Sequence, residues 1–122
     1  MSNGDEILDW STGSEGIAYQ RCDDCGHVWY LTRAFCATCG SLAVRQHQAA
    51  GLGRVATTTL VSHPPSEKWK EYAPYSLALI DADEGFRLMA HVERDARIGD
   101  RVRARYLSFE DTPIPVFMRI DP

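Results

Sequence analysis

Cys22-Asp23-Asp24-Cys25-Gly26 and Cys36-Ala37-Thr38-Cys39-Gly40, ten residues apart, decide how this chain is read. Every cysteine of the protein falls in these two C-x-x-C-G knuckles. A C-x-x-C turn presents two thiolates to one ion, and two such turns supply four ligands for a tetrahedral metal. The glycine after each second cysteine can take positive φ, so the chain can fold back under the ion. Cys22, Cys25, Cys36 and Cys39 are therefore the expected ligands of one structural Zn2+. Four thiolates leave no open coordination position, whereas a catalytic zinc keeps one. Iron takes the same ligands and stays open as an alternative. A redox C-x-x-C normally stands alone at a helix start between strands, a context absent here. Two disulfides would need an oxidising compartment. The acidic, polar stretch Met1 to Asp9 does not read as a signal or transit peptide, so a cytoplasmic location is expected.

Outward from the knuckles the chain reads as β. His27 to Leu31 between the knuckles is strand-like, and Val44 to His47 is the return strand of a compact ribbon over residues 20–48. Residues 1–19 form an N-terminal arm expected to pack on something, a partner included. Ile7 and Leu8 would start a short helix there, ended by Ser11-Thr12-Gly13-Ser14. Ala49 to Gly53 is the joint to a second module over residues 51–122. Its expected strands are Arg54 to His63, Tyr75 to Asp81, Phe86 to Val92, Arg101 to Phe109 and Ile114 to Ile120. Pro64 and Pro65 stop the first strand, and Asp83-Glu84-Gly85 marks a tight turn. Thr112 and Pro113 read as a further turn. Five strands, with a hairpin at the second and third, match a closed OB-type barrel. Closure leaves no sheet edge open, which suits so small a core.

Charge restricts the partners. The chain has 122 residues and a formal net charge of -4. Four thiolates with one divalent ion make the loaded protein more acidic still. Residues 1–50 carry three arginines against six acids. A nucleic-acid surface normally needs a basic face, so this half is a poor phosphate binder. No apolar run approaches the roughly 18 residues of a membrane span, so no membrane partner is expected.

The order of the motifs is more specific than the knuckles alone. Arg33 precedes and Ser41 follows the second knuckle. After the glycine joint come Val61-Ser62-His63-Pro64-Pro65 and Pro74-Tyr75-Ser76-Leu77-Ala78-Leu79-Ile80. Then follow Arg87-Leu88-Met89, Ile98-Gly99-Asp100-Arg101-Val102 and Pro115-Val116-Phe117. This order, over roughly residues 15 to 120, resembles the acyl-CoA-associated OB-fold proteins with an N-terminal rubredoxin-like zinc ribbon. The resemblance implies a small non-catalytic subunit of a thiolase-fold complex, with acyl-CoA as a ligand shared by the assembly. At Leu31-Thr32 the chain departs from a pattern in which prolines are frequent, which bears on the loop and not on the metal ligands.

No catalytic constellation stands out. With all cysteines spent on metal, the resemblance assigns the thiolase nucleophile to a partner chain. Candidate contacts to CoA or to that partner are Arg33, Arg54, His63, Lys68 and Trp69. The cations would face CoA phosphates. His63 stands at the mouth of a long loop, and Trp69 with Tyr72 would anchor an interface. Arg101, Arg103 and Arg105 alternate with Val102, Ala104 and Tyr106, which puts the arginines on the outer face of a strand. The alternative function is a single-stranded nucleic-acid-binding ribbon and barrel.

Overall fold

The computed structural model describes residues 7–63, 67 and 75–120. Two sheets account for these residues. Strands β1 (Ala18–Cys22), β2 (Val28–Trp29) and β3 (Val44–Gln48) form an antiparallel sheet in the order β2-β1-β3. Strands β4 (Leu52–Val61), β5 (Tyr75–Ala82), β6 (Arg87–Val92), β7 (Arg101–Phe109) and β8 (Thr112–Arg119) close into a barrel in the order β4-β5-β6-β8-β7. The fold is mainly β, as the sequence predicts.

The barrel strands alternate as a half-buried sheet must. In β5, Ser76, Ala78 and Ile80 point inward, and in β6, Leu88, Ala90 and Val92 do the same. Gly53 admits the close approach of β4 to β5: a Cβ there would lie 2.6 Å from the Asp81 carbonyl oxygen. The barrel closes through a short parallel contact, His91 opposite Val116 and Val92 opposite Phe117. The first half of β8 therefore has no partner on its β6 side, which is where Pro113 and Pro115 are tolerated.

Three local expectations change. The turn before the last strand is Glu110-Asp111, with φ of 49° and 67°, and not Thr112-Pro113. Asp111 tolerates the left-handed region, and Glu110 is held there beside it because a two-residue hairpin needs that twist at both positions. The arm is not helical at Ile7 and Leu8. There the Gln48 side chain clamps the backbone, its Oε1 accepting from the Leu8 N–H (2.6 Å) and its Nε2 donating to the carbonyls of Leu8 and Ile17. One 3-10 turn forms instead at Trp10–Thr12, capped by the Asp9 carboxylate. The strand between the knuckles is shorter than His27 to Leu31, covering only Val28–Trp29.

The arm and ribbon pack on their own barrel. Ile17 is 2% exposed and belongs to the same apolar cluster as Val55, Ile80, Phe86, Val102 and Phe117. Phe86, at the β5–β6 turn, stacks on Tyr19 (centroids 4.9 Å apart) and on Tyr30 (5.9 Å). Trp10 joins this seam through an indole N–H donated to the Tyr30 hydroxyl at 2.8 Å. Among the described residues no helix is long and apolar enough to cross a membrane.

Candidate metal centre

The two knuckles have the same backbone chemistry. In each, the N–H of the glycine donates to the carbonyl of the first cysteine: Gly26 to Cys22 at 2.9 Å and Gly40 to Cys36 at 2.7 Å. In each, the first cysteine N–H donates five residues ahead, to His27 and to Ser41, both at 2.9 Å. Both glycines have positive φ, 81° and 78°. The first cysteine of each knuckle is fully buried and the second is exposed. The knuckles thus face each other, with one side of the cluster against the small ribbon core and the other toward solvent.

The four sulfurs lie within 4.8 Å of one another, and none is in a disulfide. The contacts Cys22 Sγ to Cys39 Sγ and Cys25 Sγ to Cys36 Sγ are each 3.6 Å. A tetrahedron with metal–sulfur bonds near 2.3 Å has edges of about 3.8 Å. The donor set therefore fits one tetrahedral ion, and the arrangement is that of a metal-binding ribbon.

Electrostatics point the same way. Cys36 is burdened by burial, yet the amides of Cys39 and Thr38 and the neighbouring sulfurs bring it down to about 6. For Cys39 the Ser41 amide favours the thiolate, but Cys22, burial and the other two cysteines outweigh it and push the thiol up to about 12. Cys22 is lowered, chiefly by the Cys25 amide. Cys25 is raised: burial and neighbouring sulfurs outweigh the His27 amide, which favours its thiolate. Four negative sulfurs this close repel, and a divalent cation is what lets all four ionise together.

Several side chains that the sequence reading does not single out brace this centre. Gln20 is buried, and its Oε1 accepts from the Trp29 indole (2.6 Å) and from the Arg33 N–H (2.7 Å), tying β1 to the loop before the second knuckle. The Ser41 hydroxyl donates to the Asp24 carboxylate, linking the knuckles directly. Asp23 pairs with Arg45 of β3 at 2.6 Å. A glutamine between aromatic and basic residues leaves no distinctive mark in a sequence.

The remaining candidates are dispersed. Arg33 is exposed, with its guanidinium carbon 5.8 Å from the Trp29 ring centroid. Arg54 lies on the barrel, its Nη1 donating to the Gly99 carbonyl at 2.8 Å. His63 is exposed just beyond β4. Lys68, Trp69 and Tyr72 lie outside the described residues. The arginines at 101, 103 and 105 alternate with inward residues as expected, but Arg101 and Arg103 line one groove and Arg105 another.

Two family models match the chain. One described as the ChsH2 rubredoxin-like zinc ribbon domain covers residues 14–45, and one described as the ChsH2 C-terminal OB-fold domain covers residues 46–107. A DUF35 domain-containing scaffold protein of Pyrococcus furiosus is 38% identical over 72 residues, spanning 59% of this chain and 52% of that protein. A probable enoyl-CoA hydratase alpha subunit of Thermomonospora curvata is 32% identical over 76 residues, 62% of this chain but 23% of that protein. Among solved structures, a chain of an Ltp2-ChsH2(DUF35) aldolase superposes with a TM-score of 0.76 at 26% identity, covering 96% of this chain and 93% of that one. The chain spans between half and two thirds of the length of the scaffold proteins it matches.

Proposed function

The chain belongs to the ChsH2 family of rubredoxin-like zinc-ribbon and OB-fold proteins, and on that premise we propose that it is a non-catalytic accessory subunit docked on a thiolase-fold enzyme that acts on acyl-CoA. The observation that carries this reading is the likeness, over nearly the whole chain, to a chain of the Ltp2-ChsH2(DUF35) aldolase. The scaffold names of the curated relatives support the non-catalytic role. The chemistry of this chain agrees with it. Its four thiols gather in one cluster, which leaves no free thiol for acyl transfer.

In this reading Cys22, Cys25, Cys36 and Cys39 hold one Zn2+ that shapes the ribbon and takes no part in bond making. Residues 20–48 are the metal-holding unit, residues 51–122 the barrel, and residues 1–19 an arm. Arg33, Arg54, His63, Lys68 and Trp69 are the proposed contacts to CoA or to the partner. The protein works in the cytoplasm.

The test is a native pull-down of the tagged chain from its own host, read by mass spectrometry. A thiolase-fold protein recovered in stoichiometric amount is the expected result. Recovery of the chain alone, or acyl-CoA turnover by the isolated chain, sinks the reading. Elemental analysis of the same sample separates zinc from iron.

A further inference from the structure

The outward residues of a half-buried sheet normally meet water and are polar. On four neighbouring strands of this barrel they are largely apolar. Register sets Leu77 of β5 beside His91 of β6, His91 beside Val116 of β8, and Val116 beside Arg105 of β7. The next row, toward the β7–β8 turn, holds Leu79 with Met89 and Ile114 with Leu107. Met89 is 66% exposed and Leu107 61%. Between β6 and β8 the face opens into a hollow of about 620 Å³. So wide an apolar face on a small chain marks an interaction surface.

Charge on this face is divided by end. Val92 lies opposite Phe117 and Arg103 opposite Met118, so the end of β6 is level with the start of β7. Arg94, Arg103 and Arg105 therefore stand toward one end, all exposed and without an ion-pair partner among the described residues. Two acids lie near them. Glu93 faces Arg119 at 3.5 Å, and Glu15 lines a hollow with Arg105 without pairing to it. The other end is the turn Glu110-Asp111, exposed at both residues. The cation toward that end, Arg87, is matched by Asp81 at 2.7 Å. The face is thus apolar in the middle, basic at one end and acidic at the other.

We infer that this face pairs with the same face of a second copy of this chain. The two-fold axis lies in the interface and runs across the strands, level with Leu107 and Ile114. That axis reverses strand direction, so Arg103 and Arg105 of one copy meet the Glu110-Asp111 turn of the other, twice over. An axis along the strands would set arginine on arginine and is disfavoured. The occupant is a second copy because the charge pattern complements itself. Four strands about 4.8 Å apart and three outward rows about 6.8 Å apart give a face on the order of 400 Å². Stable interfaces bury about 800 Å² per partner, and two chains of formal net charge -4 repel. The dimer is therefore weak and concentration-dependent. The inference does not rest on the accessory-subunit reading, because both surfaces belong to this chain.

The test is sedimentation equilibrium of the full-length, metal-loaded chain from about 10 µM to about 1 mM. A monomer–dimer equilibrium is expected. Leu107→Lys, at the centre of the face, is expected to weaken it about tenfold or more. The double change Arg103→Glu with Arg105→Glu sets acid against acid and is expected to weaken it about tenfold. Leu42→Lys, at a ribbon leucine that is 79% exposed, is expected to leave it unchanged. Amide spectra establish that each variant keeps the fold. A chain monomeric at the highest concentration overturns the dimer, and so does equal weakening by Leu42→Lys and Leu107→Lys. A dimer indifferent to the arginine reversal overturns the proposed pairing. Protection of the β7 amides by a partner enzyme in a chain that stays monomeric gives the face to that enzyme instead, and overturns the proposal too.

Discussion

The ribbon and the barrel are both antiparallel-rich β structures, yet they are held together by different means. The barrel buries a cluster that draws on strands β4 to β8, and closure leaves only short stretches of open edge. The ribbon's own apolar cluster holds just Cys22, Trp29 and Cys36, with Val44 packed beside them, and two of those three are metal ligands in the proposed reading. Its β3 strand has no buried residue. A sheet that small does not meet the entropy of ordering its chain by apolar burial alone. The difference teaches that strand content says little about the source of stability. One half rests on its core. The other rests on an ion and on the seam through Tyr19, Tyr30 and Phe86.

Removing the ion should break that comparison most sharply. Binding of structural zinc by small ribbons is worth about 10–16 kcal/mol. Chelation, or Cys36→Ser, is expected to unfold residues 20–48 while the barrel persists. The measurement is an NMR amide spectrum, in which Trp29 loses dispersion and Val102 keeps it. Simultaneous loss of both would show that the two halves fold as one unit.

Next comes the seam. Phe86 is 3% exposed and touches both ribbon tyrosines. Phe86→Ala is expected to cost about 3–5 kcal/mol and to speed amide exchange in β1 as well as in the barrel. A loss confined to the barrel would mean that the ribbon stands by its metal alone.

Gln20→Leu sharpens the picture within the ribbon. It strands the Trp29 indole N–H and the Arg33 N–H, at a cost of about 1–3 kcal/mol. Denaturant midpoints for the ribbon and barrel signals should separate, with only the ribbon shifted. An unshifted ribbon midpoint would show that the Gln20 bonds add nothing to its stability.

The smallest effect is electrostatic. The Arg101 guanidinium holds the Asp83 carboxyl below its ordinary value. A carboxyl lowered on folding contributes stability above its unfolded pKa, near about 4, and loses that contribution as pH falls through the lower folded value. Asp83→Asn should therefore lower the urea midpoint slightly at pH 7 and not at pH 2. The pair is exposed and screened by salt, so the difference should shrink at high ionic strength.

Much of the fold was legible because its signals are local. The barrel strands follow two-residue alternation, and their ends agree with the expected limits within a few residues, from Leu52–Val61 to Thr112–Arg119. The knuckles are legible for the same reason: spacing of three residues within one turn sets where two sulfurs can go. Strand β1 was hidden, because of its inward residues Ala18, Gln20 and Cys22 none is a large apolar side chain of the kind alternation looks for. The Glu110-Asp111 turn was hidden because neither residue is glycine.

Taken alone, the sequence determined the four-cysteine cluster, the β character and the acidic charge, all of which depend on residue type and short spacing. Only the tertiary structure decided which distant residues meet. It placed Ile17 in the barrel core, set Gln48 as the clamp on the arm, and gathered Arg54, Arg101, Arg103 and Arg119 into one groove. The physical reason is that such meetings are fixed by strand order, register and barrel closure, which are properties of the whole packed chain.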